Sequence, residues 1–130
     1  MCREPKFYVC EHCGNMVNML HDSDVPMICC GEEMKEMQAN TTDASQEKHV
    51  PVITVQEDEV TVRIGSVPHP MTEEHKIVWV YLQTEKGEQL NCIDTQDQPE
   101  TFFKLRDDDK VIAVFAYCNL HGLWKTDYKG

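Results

Sequence analysis

Val111-Ile112-Ala113-Val114-Phe115-Ala116-Tyr117-Cys118-Asn119-Leu120-His121-Gly122-Leu123-Trp124 is the stretch on which the reading of this chain turns. Its first seven residues form an apolar run rich in β-branched and aromatic side chains, the pattern of a buried strand. A thiol and an imidazole follow, three residues apart, where that strand gives way to a Gly-containing loop. Both are good metal ligands, and the end of a rigid strand is a place that can hold an ion. Three more histidines, His49, His69 and His75, stand upstream in polar or Pro-bearing segments rather than on apolar faces. The residues point to one metal bound by four histidines and Cys118, provided the fold brings their loops together.

Outward from this strand, the same signal repeats through the second part of the chain. Residues 52–55, 60–64, 77–82, 90–93 and 101–105 read as further strands, with turn signals such as Glu57-Asp58 and Lys86-Gly87 between them and no convincing helix. Short strands at this spacing predict an antiparallel β-sandwich over residues 47–130. Glu47-Lys48-His49-Val50-Pro51 precedes the first strand, Val67-Pro68-His69-Pro70-Met71 follows the second, and His75 precedes the third. Loops at one end, or at adjacent ends, of a sandwich can converge on a single site. Trp79 and Trp124 read as core or pocket-wall residues, and Cys92, on a strand, as a buried thiol.

The N-terminal part has a different grammar. Lys6-Phe7-Tyr8-Val9-Cys10-Glu11-His12-Cys13-Gly14 is a short strand running into a Cys-x-x-Cys turn, and 15 residues later comes Cys29-Cys30-Gly31. The pattern approaches a zinc ribbon, except that the second pair is adjacent. Cys10, Cys13, Cys29 and Cys30 form a four-sulfur set, whose tetrahedral geometry suits zinc and iron alike. So short a segment buries little apolar surface, so the metal is expected to hold it folded as well. His12 and His21 are read as solvent-facing and Cys2 as a free terminal thiol. Met16, Met19, Met27, Met34 and Met37 are read as core filler. Residues 38–46 turn polar and small, a linker or one helical turn capped by Thr41 or Thr42. The expected organisation is a metal-bound domain over 1–38, a linker over 39–46 and the sandwich over 47–130.

A chain of 130 residues with 41% hydrophobic side chains can bury a core. Its net charge of -11 excludes nucleic acid and anionic membrane surfaces as natural partners. The deficit is shared: three Lys or Arg face seven Asp or Glu in residues 1–40, and nine face sixteen beyond them. No apolar signal segment follows Met1 and no run reaches the length of a membrane span, so a cytoplasmic location is expected. Seven cysteines in a reducing compartment favour metal binding over disulfides.

Taken together, Cys-x-x-Cys, Cys-Cys, Glu-Lys-His-Val-Pro, His-Pro-Met, a following His and Cys-Asn-x-His-Gly-x-Trp resemble desulfoferrodoxin, the two-iron form of superoxide reductase. The resemblance covers nearly the whole chain, and no ligand of either set is missing. It implies a mainly β chain whose N-terminal domain is desulforedoxin-like, with one iron on Cys10, Cys13, Cys29 and Cys30. It implies an immunoglobulin-like antiparallel sandwich behind it, with a second iron held in a plane by His49, His69, His75 and His121 and axially by Cys118. Two iron ions per chain, without haem or flavin, a homodimer and reduced rubredoxin as electron donor are further implications.

Four neutral imidazoles and a thiolate give ferrous iron a formal charge of +1 and leave one position open opposite the sulfur, where a small anion can bind. The expected reaction takes one electron and two protons per superoxide and yields hydrogen peroxide without dioxygen, a detoxification chemistry. Lys48 would draw the anion in against the overall negative charge and orient a proton-donating water. Glu47, by resemblance, would occupy the open position once iron is ferric. The alternatives are a thiolate-ligated iron electron carrier and a zinc-binding interaction module with an incidental histidine-rich sandwich.

Overall fold

The computed structural model describes residues 4–130; Cys2, read above as a free thiol, lies outside them. The described chain divides at residue 38 into two compact units.

In the first unit, β1 (Phe7–Val9) is the central strand of a small sheet, flanked by β2 (Met16–Asn18) and β5 (Lys35–Glu36). β3 (Ile28–Cys29) and β4 (Glu32–Glu33) form a separate hairpin. Its register pairs Cys29 with Glu32, so Cys30 and Gly31 alone make the turn, with φ of 53° and 77°. Two successive positive φ values are the mark of the type I′ turn, whose twist suits a two-residue hairpin. This is why the second cysteine pair is adjacent: a tight hairpin stands where a ribbon would place a second Cys-x-x-Cys turn. Only Phe7, Cys10 and Met34 are buried in this unit among the described residues. The expectation that five methionines fill its core therefore fails. Met34 is buried, Met19, Met27 and Met37 are half-buried, and Met16 is exposed. Strands of two and three residues make too small a surface to cover them.

The second unit holds seven strands in two antiparallel sheets. One has the order β10 (Glu100–Lys104), β7 (Glu59–Ile64), β6 (Pro51–Gln56). The other runs β12 (Gly122–Asp127), β11 (Val111–Cys118), β8 (Ile77–Thr84), β9 (Glu88–Cys92). Sheets of three and four strands form the antiparallel sandwich that the strand spacing predicts, with the immunoglobulin-like character that the resemblance implies. The inward residues interleave as Val60, Val62, Ile64 and Phe103 from one sheet against Val80, Leu82, Val114, Ala116 and Cys118 from the other. Alternating side chains of period two put these residues on one face of each strand.

Three details differ from the sequence reading. β12 was not foreseen, because its buried residues, Leu123 and Trp124, are adjacent rather than alternating and the rest of the strand is polar. Cys92 is exposed, not buried, because β9 is the free edge of its sheet and alternates exposed and half-buried residues. The helical turn lies at α1 (Gln46–His49), with Ser45 rather than Thr41 or Thr42 at its N-cap. Residues 39–46 are not a loose spacer either. Asn40 N–H donates to the Leu123 carbonyl at 3.0 Å, and its side chain bonds Lys125 N–H at 2.9 Å and Lys125 O at 3.1 Å.

Candidate metal centres

The cysteine set assembles from two turns of the first unit. Cys10 directly follows β1, and its carbonyl accepts from Gly14 N–H at 2.9 Å, closing the Cys-x-x-Cys loop. Gly14 has φ of 82°, which a glycine adopts without strain. The four sulfurs lie within 4.8 Å of one another, and Cys13 Sγ is 3.6 Å from Cys29 Sγ. Asn15 Nδ2 points at Cys29 Sγ from 3.7 Å. His12 and His21 are exposed, as expected, and His12 turns outward to pair with Glu32 at 3.1 Å.

In the second unit the ligand candidates come from four places. His49 is the last residue of α1, His69 follows β7, His75 precedes β8, and Cys118 ends β11 while His121 sits in the β11–β12 turn. That turn spans Asn119, Leu120 and His121 and closes on Gly122, whose φ is 78°. Such a three-residue hairpin loop with a left-handed glycine folds Cys118 and His121 toward the same point.

The four imidazoles form a closed circuit. Neighbouring ring centroids are 4.6 Å apart for His49–His69, 4.7 Å for His69–His75, 5.0 Å for His75–His121 and 4.9 Å for His121–His49. Each neighbouring pair meets edge to face, whereas His49 and His75, across the circuit at 6.3 Å, are tilted by only 31°. These are the corners of a nearly square array. Donor atoms of His49, His75, Cys118 and His121 lie within 4.8 Å of one another. His69 falls outside that tightest group, but its ring closes the square and it is buried.

The donor chemistry fits a cation at the centre. His49 Nδ1 donates to the Ser45 carbonyl at 2.6 Å and His69 Nδ1 to the Pro70 carbonyl at 2.7 Å, so each presents Nε2 as a lone pair. His49 Nε2 faces His121 Nδ1 at 3.1 Å, and Cys118 Sγ is 3.9 Å from that same nitrogen. The Nε2 atoms of His69 and His75 are buried with no hydrogen-bond partner. Buried polar atoms are normally satisfied, and a metal satisfies both at once. Cys118 is fully buried and belongs to the core, while His75 and His121 are half-buried, so the array opens away from the sulfur side.

Known proteins resemble this chain along its whole length. The desulfoferrodoxin family model matches residues 41–127, and that of the desulfoferrodoxin N-terminal domain matches residues 2–37. Desulfoferrodoxin of Nitratidesulfovibrio vulgaris is 42% identical over 98% of this chain and 99% of its own, and that of Syntrophotalea carbinolica is 41% identical over the same shares. The chain belongs to the desulfoferrodoxin family. The crystal structure of the superoxide reductase from Treponema pallidum superposes with a TM-score of 0.82 at 39% identity, covering 96% of this chain and 100% of the other.

Within this desulfoferrodoxin-family fold, electrostatics prepare both donor sets. Burial, first of all, lowers the basicity of His49, His69 and His75, with His69 brought to about 4, so the imidazoles are neutral and free to bind a metal near neutral pH. The Lys48 ammonium presses on His49 and His75 in the same direction, which places its charge beside the array. Cys118 is pushed up by burial and drawn back by the N–H groups of Leu120 and His121, so its thiolate needs a cation to persist. Among the four cysteines, backbone N–H donation at Cys13 brings Cys10 down to about 6. Contact with Cys13 and then Cys10 pushes Cys30 up to about 12. Sulfurs bind a metal as thiolates, so a cation would hold together four negative charges that otherwise oppose one another.

Trp124 bears out its reading as a core or pocket-wall residue, whereas the seat around Gly65 escaped the sequence reading. Trp124 is fully buried, stacks on the His49 ring at 4.8 Å and donates Nε1–H to the His121 carbonyl at 3.1 Å, so one side chain braces two ligands. Gly65, at φ 85°, lets the chain pass so close to α1 that a Cβ there would lie 2.6 Å from the Lys48 carbonyl oxygen. The Glu47 carbonyl accepts from Val67 N–H at 3.0 Å and Ser66 Oγ at 3.3 Å. A lone glycine after a strand was the only sequence signal for this seat. Trp79 lies half-buried and stacks on Tyr117 at 5.6 Å, away from the array.

Proposed function

We infer that this chain is a superoxide reductase, an oxidoreductase that reduces superoxide to hydrogen peroxide. The observation that carries the reading is the square of four imidazoles, with two unpartnered Nε2 atoms, over a buried thiol. The protein carries two iron centres, and we assign Cys10, Cys13, Cys29 and Cys30 to the first and His49, His69, His75, His121 and Cys118 to the second. Iron held by the second set would supply the one electron that, together with two protons, the conversion of superoxide to peroxide requires.

The chain's own residues do the rest. Burial, nearly complete at His49 and His69 and partial at His75, disfavours protonation of these three donors, so they keep their lone pairs. The Lys48 ammonium, exposed at the end of α1, attracts the anion against a net charge of -11 and orients a water that delivers a proton. Glu47, also exposed, covers the open side of the array between turnovers. The reaction leaves the site one electron short, so a one-electron donor must restore it. Reduced rubredoxin fits that role, with the four-cysteine iron as relay or as folding device. We place the two centres in domains over 1–38 and 47–130, and the protein in the cytoplasm as a homodimer; no helix among the described residues is long and apolar enough to cross a membrane.

Pulse-generated superoxide tests the reading. The reductase yields one peroxide per superoxide consumed and no dioxygen, whereas release of dioxygen or a colourless, zinc-only protein overturns it.

A further inference from the structure

Each corner of the imidazole square has a device that fixes it, except one. The His49 and His69 rings are held by carbonyl acceptors on Nδ1, and the His121 backbone by the Trp124 indole. The His75 ring makes no hydrogen bond among the described residues, and residues 70–76 contain no strand or helix. Locally, Thr72 pins the residue through His75 N–H to Thr72 Oγ1 at 3.1 Å and Thr72 N–H to the His75 carbonyl at 2.9 Å. Those bonds shape the loop but do not attach it to the sandwich.

At His75 itself the attachment is Asn119, in the β11–β12 turn between Cys118 and His121; elsewhere in the loop Thr95 Oγ1 donates to Glu73 at 3.0 Å and Met71 packs on the core. Its N–H donates to the Lys76 carbonyl at 3.1 Å, its Oδ1 accepts from Lys76 N–H at 2.9 Å, and its Nδ2 donates to the Glu74 carbonyl at 3.0 Å. One residue thus grips the peptide groups on both sides of His75. We propose that Asn119 is a positioning residue for the second metal centre, holding His75 in register with Cys118 and His121 and so deciding whether the fourth imidazole is available to the metal. This rests on the assignment of His75 as a ligand, not on the identity of the substrate. Side chains that orient ligands from outside a metal's own shell characteristically change affinity about 10–100-fold when removed.

The geometry predicts how the loss will look. With Asn119→Ala the loop keeps its Thr72 turn but loses two of its three ties to Asn119, so the variant should behave as a site lacking His75 rather than as a destabilised sandwich. The test is the rate at which full-length, iron-loaded protein surrenders its second iron to a chelator, followed by the visible band of that site and by metal analysis. Asn119→Ala should release it about tenfold faster than the unaltered chain. His75→Ala should release it at least as fast, and the double variant no faster than His75→Ala, because a clamp has no effect once its ligand is gone. Asn119→Asp keeps the acceptor for Lys76 N–H but not the donor to Glu74, and should fall between.

Asn91→Ala is the control. Its side chain bridges Thr101 Oγ1 at 2.9 Å and the Phe102 carbonyl at 2.8 Å in the same sandwich, with no tie to the ligand loops. It should retain iron as the unaltered chain does. Unchanged retention in both Asn119 variants, or a double variant that loses iron faster than His75→Ala by the factor seen for Asn119→Ala alone, overturns the proposal. Should Asn119→Ala fail to fold, the comparison of Asn119→Asp with Asn91→Ala decides it by the same readout. Iron retention is read without superoxide, so this outcome is separate from the peroxide stoichiometry above.

Discussion

The two metal centres solve opposite problems. Residues 4–38 bury three side chains and gather four sulfurs from two turns some 20 positions apart, so their order must come from the ion that joins the turns. Residues 39–130 bury a continuous core between two sheets and bring together donors separated by up to 72 positions in sequence. There the fold makes the site, and buried Nε2 atoms wait for the cation. One unit is a metal complex with a peptide around it; the other is a protein that has left room for a metal.

Chelation should break that comparison most visibly. Removing both irons is expected to unfold residues 4–38, since metal binding in so small a segment is folding free energy on the order of 10 kcal/mol. The sandwich should stay folded. Hydrogen exchange that collapsed in both units, or in neither, would refute the contrast.

A core substitution sharpens it from the other side. Trp124→Ala removes the largest fully buried side chain and should cost about 3–5 kcal/mol in the urea stability of the second unit. The same change should empty the histidine site while leaving the cysteine site loaded, as metal analysis and visible spectra would show.

Much of this was legible beforehand, for physical reasons. The ligand residues carry unusual chemistry at short spacing, and strands 6 to 11 carry either apolar runs, as in β8 and β11, or alternating apolar patterns, so both stood out. What was missed has no composition of its own. Asn119 acts through hydrogen bonds to the main chain of a distant loop, Ser45 through its carbonyl, Gly65 through the absence of a side chain, and β12 through pairing along its length with β11. Cys92 misled because a strand pattern does not say whether the strand lies at a sheet edge.

A smaller effect concerns acid. In the metal-free protein His69 stands near 4 against an ordinary 6.5, and His49 and His75 are lowered too, each first by burial. The folded chain therefore binds fewer protons than the unfolded one in that window. Its stability is whole above about 6.5 and declines as pH falls toward about 4. Urea midpoints measured across the window should fall with pH, and less steeply in His69→Ala.

Lys48→Ala should change least in structure and still be felt in rate. The encounter with superoxide is expected to slow about tenfold at low ionic strength, with a smaller difference at high salt, because a local attraction against a global repulsion is lost. Equal rates at every salt concentration would leave Lys48 a solvated surface residue of α1.

Asn40 has a consequence beyond its three hydrogen bonds. By bonding Leu123 and Lys125 on the outer rim of β12 it behaves as a one-residue strand, shortening the bare ladder onto which a foreign chain could zip. Replacing residues 39–46 with a flexible Gly-Ser tether should therefore yield a protein that still takes up iron and yet aggregates on storage.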